Sequence, residues 1–152
     1  MNGSDRIITQ QENDLKIPLP QADELQPLST VPIKAEEARE QARLVAALRR
    51  HWSKIPKLAE RPIIYHVPNG GQRDPREAAN LKVQGALAGV PDLEIVLPKG
   101  RCLKIEMKAS DGRLSKSQIE LHDHLSALGH PVVTAYSAED ALNKLQQFNW
   151  EF

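Results

Sequence analysis

The 152-residue sequence predicts an α/β fold, a mixed central β-sheet flanked by helices, on three observations. Residues 92–108 read as two antiparallel strands around a tight turn. The segments on either side read helix, strand, helix before them and helix, strand, helix after them. A hairpin followed by a helical crossover returns the next strand parallel, which makes the sheet mixed.

Residues 1–34 come first and differ from the rest. They carry four prolines (Pro18, Pro20, Pro27, Pro32), many Gln, Asp and Glu, and no sustained apolar period. Such a composition buries too little apolar surface to offset its ordering entropy. It is expected to be a disordered or partner-docking arm, with Ile17, Leu19, Leu25 and Leu28 available to dock on a neighbouring subunit. Residues 35–152 form the expected domain.

From Ala35 to about Trp52 the pattern is helical, with Ala38, Ala42, Val45, Leu48 and Trp52 recurring at three- and four-residue steps. Glu37, Gln41, Leu44 and Leu48 make a second line on that helix. The glutamates of its first turn also complement the helix dipole, an equally good reading of them. Arg43, Arg49, Arg50, Lys54, Lys57 and Arg61 give a basic run, ordinarily a solvated face. Ile63 to Val67 is a short strand ahead of a Pro68-Asn-Gly-Gly71 turn, in which Asn69 either serves the turn or meets a phosphate. His66 reads as structural. Asp74 caps and Pro75 opens a helix running to about Leu87. Pro91 then restricts its predecessor to an extended shape, so Asp92 enters its strand from a set direction.

The hairpin carries the chemistry. Pro98-Lys-Gly100 suits a three-residue loop, with the glycine left-handed. That loop places Arg101 opposite Leu97, Cys102 opposite Val96, Leu103 opposite Ile95, Lys104 opposite Glu94, Ile105 opposite Leu93 and Glu106 opposite Asp92. Leu93, Ile95, Leu103, Ile105 and Met107 then share an apolar face, while Asp92, Glu106 and Lys108 share the other. Opposed Cβ atoms lie roughly 4.5–5.5 Å apart, so two carboxylates there repel unless a proton or cation intervenes. Hard oxygen donors without thiolates favour magnesium or manganese over zinc. On spacing alone, an exposed hairpin face with ordinary charges is an equal reading, because Asp followed later by Glu-x-Lys is common by chance.

Beyond the hairpin, Ser115-Lys-Ser-Gln118 has the spacing of a capping box. The helix it opens ends at Gly129, with Gln118, Leu121, His122, Leu125 and Leu128 along its inner stripe. His122 and His124 diverge on such a helix and do not read as a metal pair. Pro131 to Tyr136 is a strand, and Ala138 to Phe148 a final amphipathic helix.

Composition excludes several classes. One cysteine excludes an internal disulfide and a zinc ribbon, and points to a reducing, intracellular (cytoplasmic) location. No apolar run is long enough for a membrane span, and no membrane association is expected. The formal charge is zero but uneven. Residues 1–40 hold 8 acidic and 4 basic residues, net −4, leaving 12 acidic and 16 basic, net +4, for residues 41–152. A modestly basic domain suits a phosphate backbone bound with strong salt dependence.

Gly89-Val-Pro-Asp-Leu93, Ile105-Glu-Met-Lys108 and Gly112-Arg-Leu-Ser-Lys-Ser-Gln118 resemble, in order, the signatures of the VRR-NUC domain, a branch of the PD-(D/E)XK nucleases. His66-Val-Pro-Asn-Gly70 resembles the upstream motif of that family, and together the likeness covers residues 36 to about 147. It implies a restriction-endonuclease-like core and a Mg2+- or Mn2+-dependent deoxyribonuclease. Asp92, Glu106 and the backbone carbonyl of Met107 would hold the ion, and Lys108 and Gln118 would assist. A first-helix Glu near a Gln also assists in this family; the spacing favours Glu37, with Glu40 competing. Asn69, Arg73, Arg113 and Lys116 are the candidate DNA contacts. Stand-alone bacterial or phage members resemble homodimeric enzymes that cut four-way (Holliday) junctions in DNA repair or recombination. The alternatives are a non-catalytic DNA-binding or assembly module, and a less selective flap or single-strand nuclease.

Overall fold

A computed structural model describes residues 17–21, 35–69 and 74–148. Eight regular elements follow in order: α1 (Glu36–Trp52), β1 (Ile63–His66), α2 (Pro75–Val83), β2 (Leu93–Leu97), β3 (Arg101–Met107), α3 (Lys116–Ala127), β4 (Val132–Ala135) and α4 (Ala138–Gln146). The four strands lie in the sheet in chain order. β1 and β3 run antiparallel to β2, and β4 runs parallel to β3. The sheet is therefore mixed, for the reason the hairpin and crossover give.

The hairpin register is the one set by the loop, from Leu97 opposite Arg101 to Leu93 opposite Ile105. Lys99 as well as Gly100 adopts a left-handed φ (62° and 71°), so the turn uses two such residues rather than the glycine alone. Leu93, Ile95, Leu97, Leu103, Ile105 and Met107 are buried; α1 packs on β1 and β3, and α4 on β4 and α1. Together with Leu44, Leu48, Trp52, Ile64, Leu142 and Leu145 they form one core.

Three helices depart from the sequence pattern. In α1 the buried residues are Leu44, Ala47, Leu48 and Trp52, while Ala38 is exposed. The second line of the helix, the one headed by Glu37 and Gln41, thus faces inward, since a leucine removes more apolar surface from water than an alanine. α2 ends at Val83, short of Leu87, and buries none of its residues; Gly85, at φ +99°, closes it. In α3 Leu128 is 64% exposed, because it lies past the last helical turn, ahead of the left-handed Gly129. From the N-terminal arm, Ile17 and Leu19 pack on this chain's own core and the Pro20 carbonyl accepts from Arg43 Nε at 2.9 Å. Leu25 and Leu28 lie outside the described residues.

Candidate active site

The charged residues gather at one end of the sheet. Lys108 leaves the end of β3, where its backbone N–H donates to the Ala135 carbonyl at 2.9 Å. Two residues earlier Glu106 is buried, 1% exposed, on the face opposite the core leucines. Its Oε1 accepts from Lys108 Nζ at 2.7 Å and from Gln118 Nε2. Gln118 reaches it from the first turn of α3, where its Oε1 also accepts from the Ser115 N–H, closing the capping box. The cap and the site are thus two ends of one amide.

Asp92 sits one step beyond the last paired residue of β2 rather than in the strand. Its Oδ2 accepts from the Met107 N–H at 2.9 Å, joining it to the backbone of the other strand. Its carbonyl is taken up by the Val67 N–H at 2.8 Å and lies 2.8 Å from His66 Nδ1. That imidazole nitrogen also lies 3.0 Å from Gln41 Nε2, so α1 comes up against the Asp92 turn at His66. Gly89, at φ +86°, enters the same turn against the start of α3: a Cβ there would meet the Ser117 carbonyl oxygen at 2.4 Å.

Electrostatics single out Glu106. Burial pushes its carboxyl up to about 7; Lys108 works against that, while the charges of Asp92 and Glu37 reinforce it. Lys108 is raised in turn: burial opposes the shift, and Glu106, Glu37 and Asp92 outweigh it. Glu37 therefore bears on this cluster. Glu40 does not, since its carboxylate pairs with Arg43 at 2.8 Å and accepts from the Ala138 N–H at 2.9 Å, where it caps α4.

The donors suit a hard divalent cation, being carboxylate oxygens short of neutralising charge. Among the described residues no three His, Cys, Asp or Glu side chains stand close enough to hold a metal by themselves. An ion here would need a backbone carbonyl, such as that of Met107, and water besides Asp92 and Glu106.

Of the candidate DNA contacts, Asn69 donates from Nδ2 to the Val90 carbonyl at 3.3 Å and so ties two turns together. Arg113 is exposed, and Lys116 pairs with Glu120 at 3.6 Å at the surface. Arg73 lies outside the described residues. His122, which motif reasoning passed over, lies beside Glu106, with Nε2 3.7 Å from Oε2. Its position four residues after Gln118 on the inner stripe was the available signal.

The sequence model of the VRR-NUC domain family matches residues 31–139. This chain belongs to that family. A solved structure named as a VRR_NUC domain protein is 28% identical, covering 76% of this chain and 89% of its own, with a TM-score of 0.56. A second, named VRR_NUC domain, is 17% identical over 76% of this chain and 99% of its own, with a TM-score of 0.47. No match is found among curated proteins. As a VRR-NUC domain the chain is a nuclease-type, DNA-processing unit with a restriction-endonuclease-like core. Among the described residues of this VRR-NUC chain no helix is long and apolar enough to cross a membrane.

Proposed function

We propose that this VRR-NUC chain is a Mg2+- or Mn2+-dependent DNA endonuclease, selective for branched DNA and for four-way junctions in particular. The observation that carries the catalytic reading is the buried Glu106 carboxylate, gripped by Lys108 and Gln118 one step from Asp92. A lysine at 2.7 Å from a carboxylate that two further acids crowd is poor design for a merely solvated strand end.

Asp92, Glu106 and the Met107 carbonyl would hold the ion, with Glu37 contributing charge. When bound, the ion would supply Lewis-acid charge neutralisation at the scissile phosphate. Lys108 keeps its positive charge at neutral pH and is placed to offset negative charge on the phosphate as the attacking oxygen adds. A preorganised donor of this kind is worth roughly 3 kcal/mol. Gln118 orients the Glu106 carboxylate from α3. Asn69, Arg73, Arg113 and Lys116 would meet the DNA backbone. A homodimer, with one site per strand, suits the two-fold symmetry of a junction.

The test is cleavage of matched four-way junction, flap, single-stranded and duplex DNA with magnesium, manganese or chelator, by the native chain and Lys108→Ala. Symmetric junction nicks that need both metal and Lys108 are expected. Cutting of flap or single strands instead would reassign the substrate, and binding without cutting under any metal would leave a DNA-binding module.

A further inference from the structure

Two buried polar atoms at this site have no hydrogen-bond partner among the described residues: Oε2 of Glu106 and Nε2 of His122. They face each other at 3.7 Å, just outside direct hydrogen-bond distance. A buried polar atom left without a partner is costly, so two that face each other are each other's natural partners. One proton between them satisfies both, on whichever side it resides.

Burial works most strongly against the protonated form of the His122 imidazole, while the backbone at Gly89 also acts on it, favouring that form. Gly89 in turn is pressed so closely on Ser117 and Gln118 at the start of α3 that no side chain fits there. The imidazole therefore stands between the turn that delivers Asp92 and the strand that carries Glu106. Gln118 and His122, one helical turn apart on α3, address the two oxygens of the same carboxylate.

We propose that His122 is a positioning residue for Glu106. It holds Oε2 as Gln118 holds Oε1, so that α3 sets the plane of the carboxylate and ties it to the Asp92 turn. Its consequence for an ion rests on the metal-dependent reading above; the contact itself does not. Carboxylates and imidazoles that orient a ligand from behind typically change metal affinity 10- to 100-fold when lost.

Two measurements on the full chain test this separately. In the metal-free protein, 15N signals of the His122 imidazole are compared between the native chain and Glu106→Gln. The ε2 nitrogen should move while the δ1 nitrogen stays, and an unmoved ε2 signal overturns the proposal. Mn2+ affinity is then measured by titration calorimetry for the native chain, His122→Phe and His122→Gln. His122→Phe should bind roughly 10- to 100-fold more weakly, and His122→Gln, which restores a polar group, should recover most of that. Native affinity in His122→Phe overturns the positioning role. If the native chain binds no Mn2+, the metal reading fails, and the 15N comparison alone decides the role of His122. It decides likewise if His122→Phe does not fold.

Discussion

Two sets of charged side chains lie two residues apart at the β2–β3 hairpin, one within the paired strands and one just past them, and they have opposite characters. Glu94 faces Lys104, and their charges meet at 2.6 Å. Asp92 and Glu106, one step past the pairing, are both acidic; Lys108 and Gln118 meet Glu106, and the Met107 N–H meets Asp92. Burial works against ionisation of Glu94, yet Lys104 and neighbouring hydrogen bonds hold its carboxyl below the usual range. In Glu106 burial prevails, reinforced by like charge. One hairpin thus carries a stabilising ion pair at one step and a crowded acidic cluster at the next. The difference lies in which side chain was placed opposite, and in α3 descending only on the second pair.

Removing the crowding should separate activity from stability. Glu106→Gln is expected to lower junction cleavage at least about 100-fold, the scale of losing a charge-stabilising group, while its melting temperature stays level or rises. A clear fall in melting temperature would show that the second pair is structural after all. Gly89→Ala attacks the junction of the Asp92 turn with α3. A Cβ 2.4 Å from a backbone oxygen, at a positive φ, should cost roughly 3 kcal/mol in urea unfolding. A neutral result would mean that the turn moves independently of α3.

Lys104→Ala breaks the other pair and leaves Glu94 half-buried without its partner. A loss of about 1–2 kcal/mol is expected in the same unfolding measurement, with the cleavage rate little changed. A large loss of rate would erase the distinction between the pairs.

The pairs should also titrate with opposite signs. The Glu106 carboxyl is raised to about 7 from 4.5, so its stabilising contribution is full below about 4.5 and is lost as pH rises through 7. The Glu94 carboxyl is lowered, so its contribution is present above the unfolded value and is lost as pH falls through the folded one. In chelator, the melting temperature of the native chain minus that of Glu106→Gln should therefore fall between pH 5 and 7 and level off above. A difference that rises instead would reverse the assignment. The smallest effect belongs to Lys116→Ala, whose exposed pair with Glu120 is worth only about 0.3–0.5 kcal/mol. Its readout is the salt dependence of DNA binding, where losing one phosphate contact should flatten the slope by about 1.

The hairpin, its register and its two faces were legible because each follows from neighbours a few residues apart: strand alternation, and a Pro-Lys-Gly loop that admits one pairing. The Ser115–Gln118 box was legible for the same local reason. The inward line of α1 was not, since Ala38 and Leu44 satisfy the same periodicity, and only packing against the sheet chooses between them. Spacing favoured Glu37 but left Glu40 in competition. The Ala138 N–H, 98 residues along the chain, claims Glu40 for a cap, while Glu37 is left to act on Glu106 and Lys108.

What the order of residues determined by itself was therefore the inventory: a hairpin with its charged face, a capped helix behind it, and the motifs that mark a VRR-NUC domain. Short-range sterics and alternation settle these wherever the chain lies. The tertiary structure alone decided which groups meet. Asp92 reaches the Met107 N–H, and Gln118 and His122 come to two oxygens of one buried carboxylate. Such meetings depend on where helices dock on the sheet, a matter of long-range packing that no local pattern encodes.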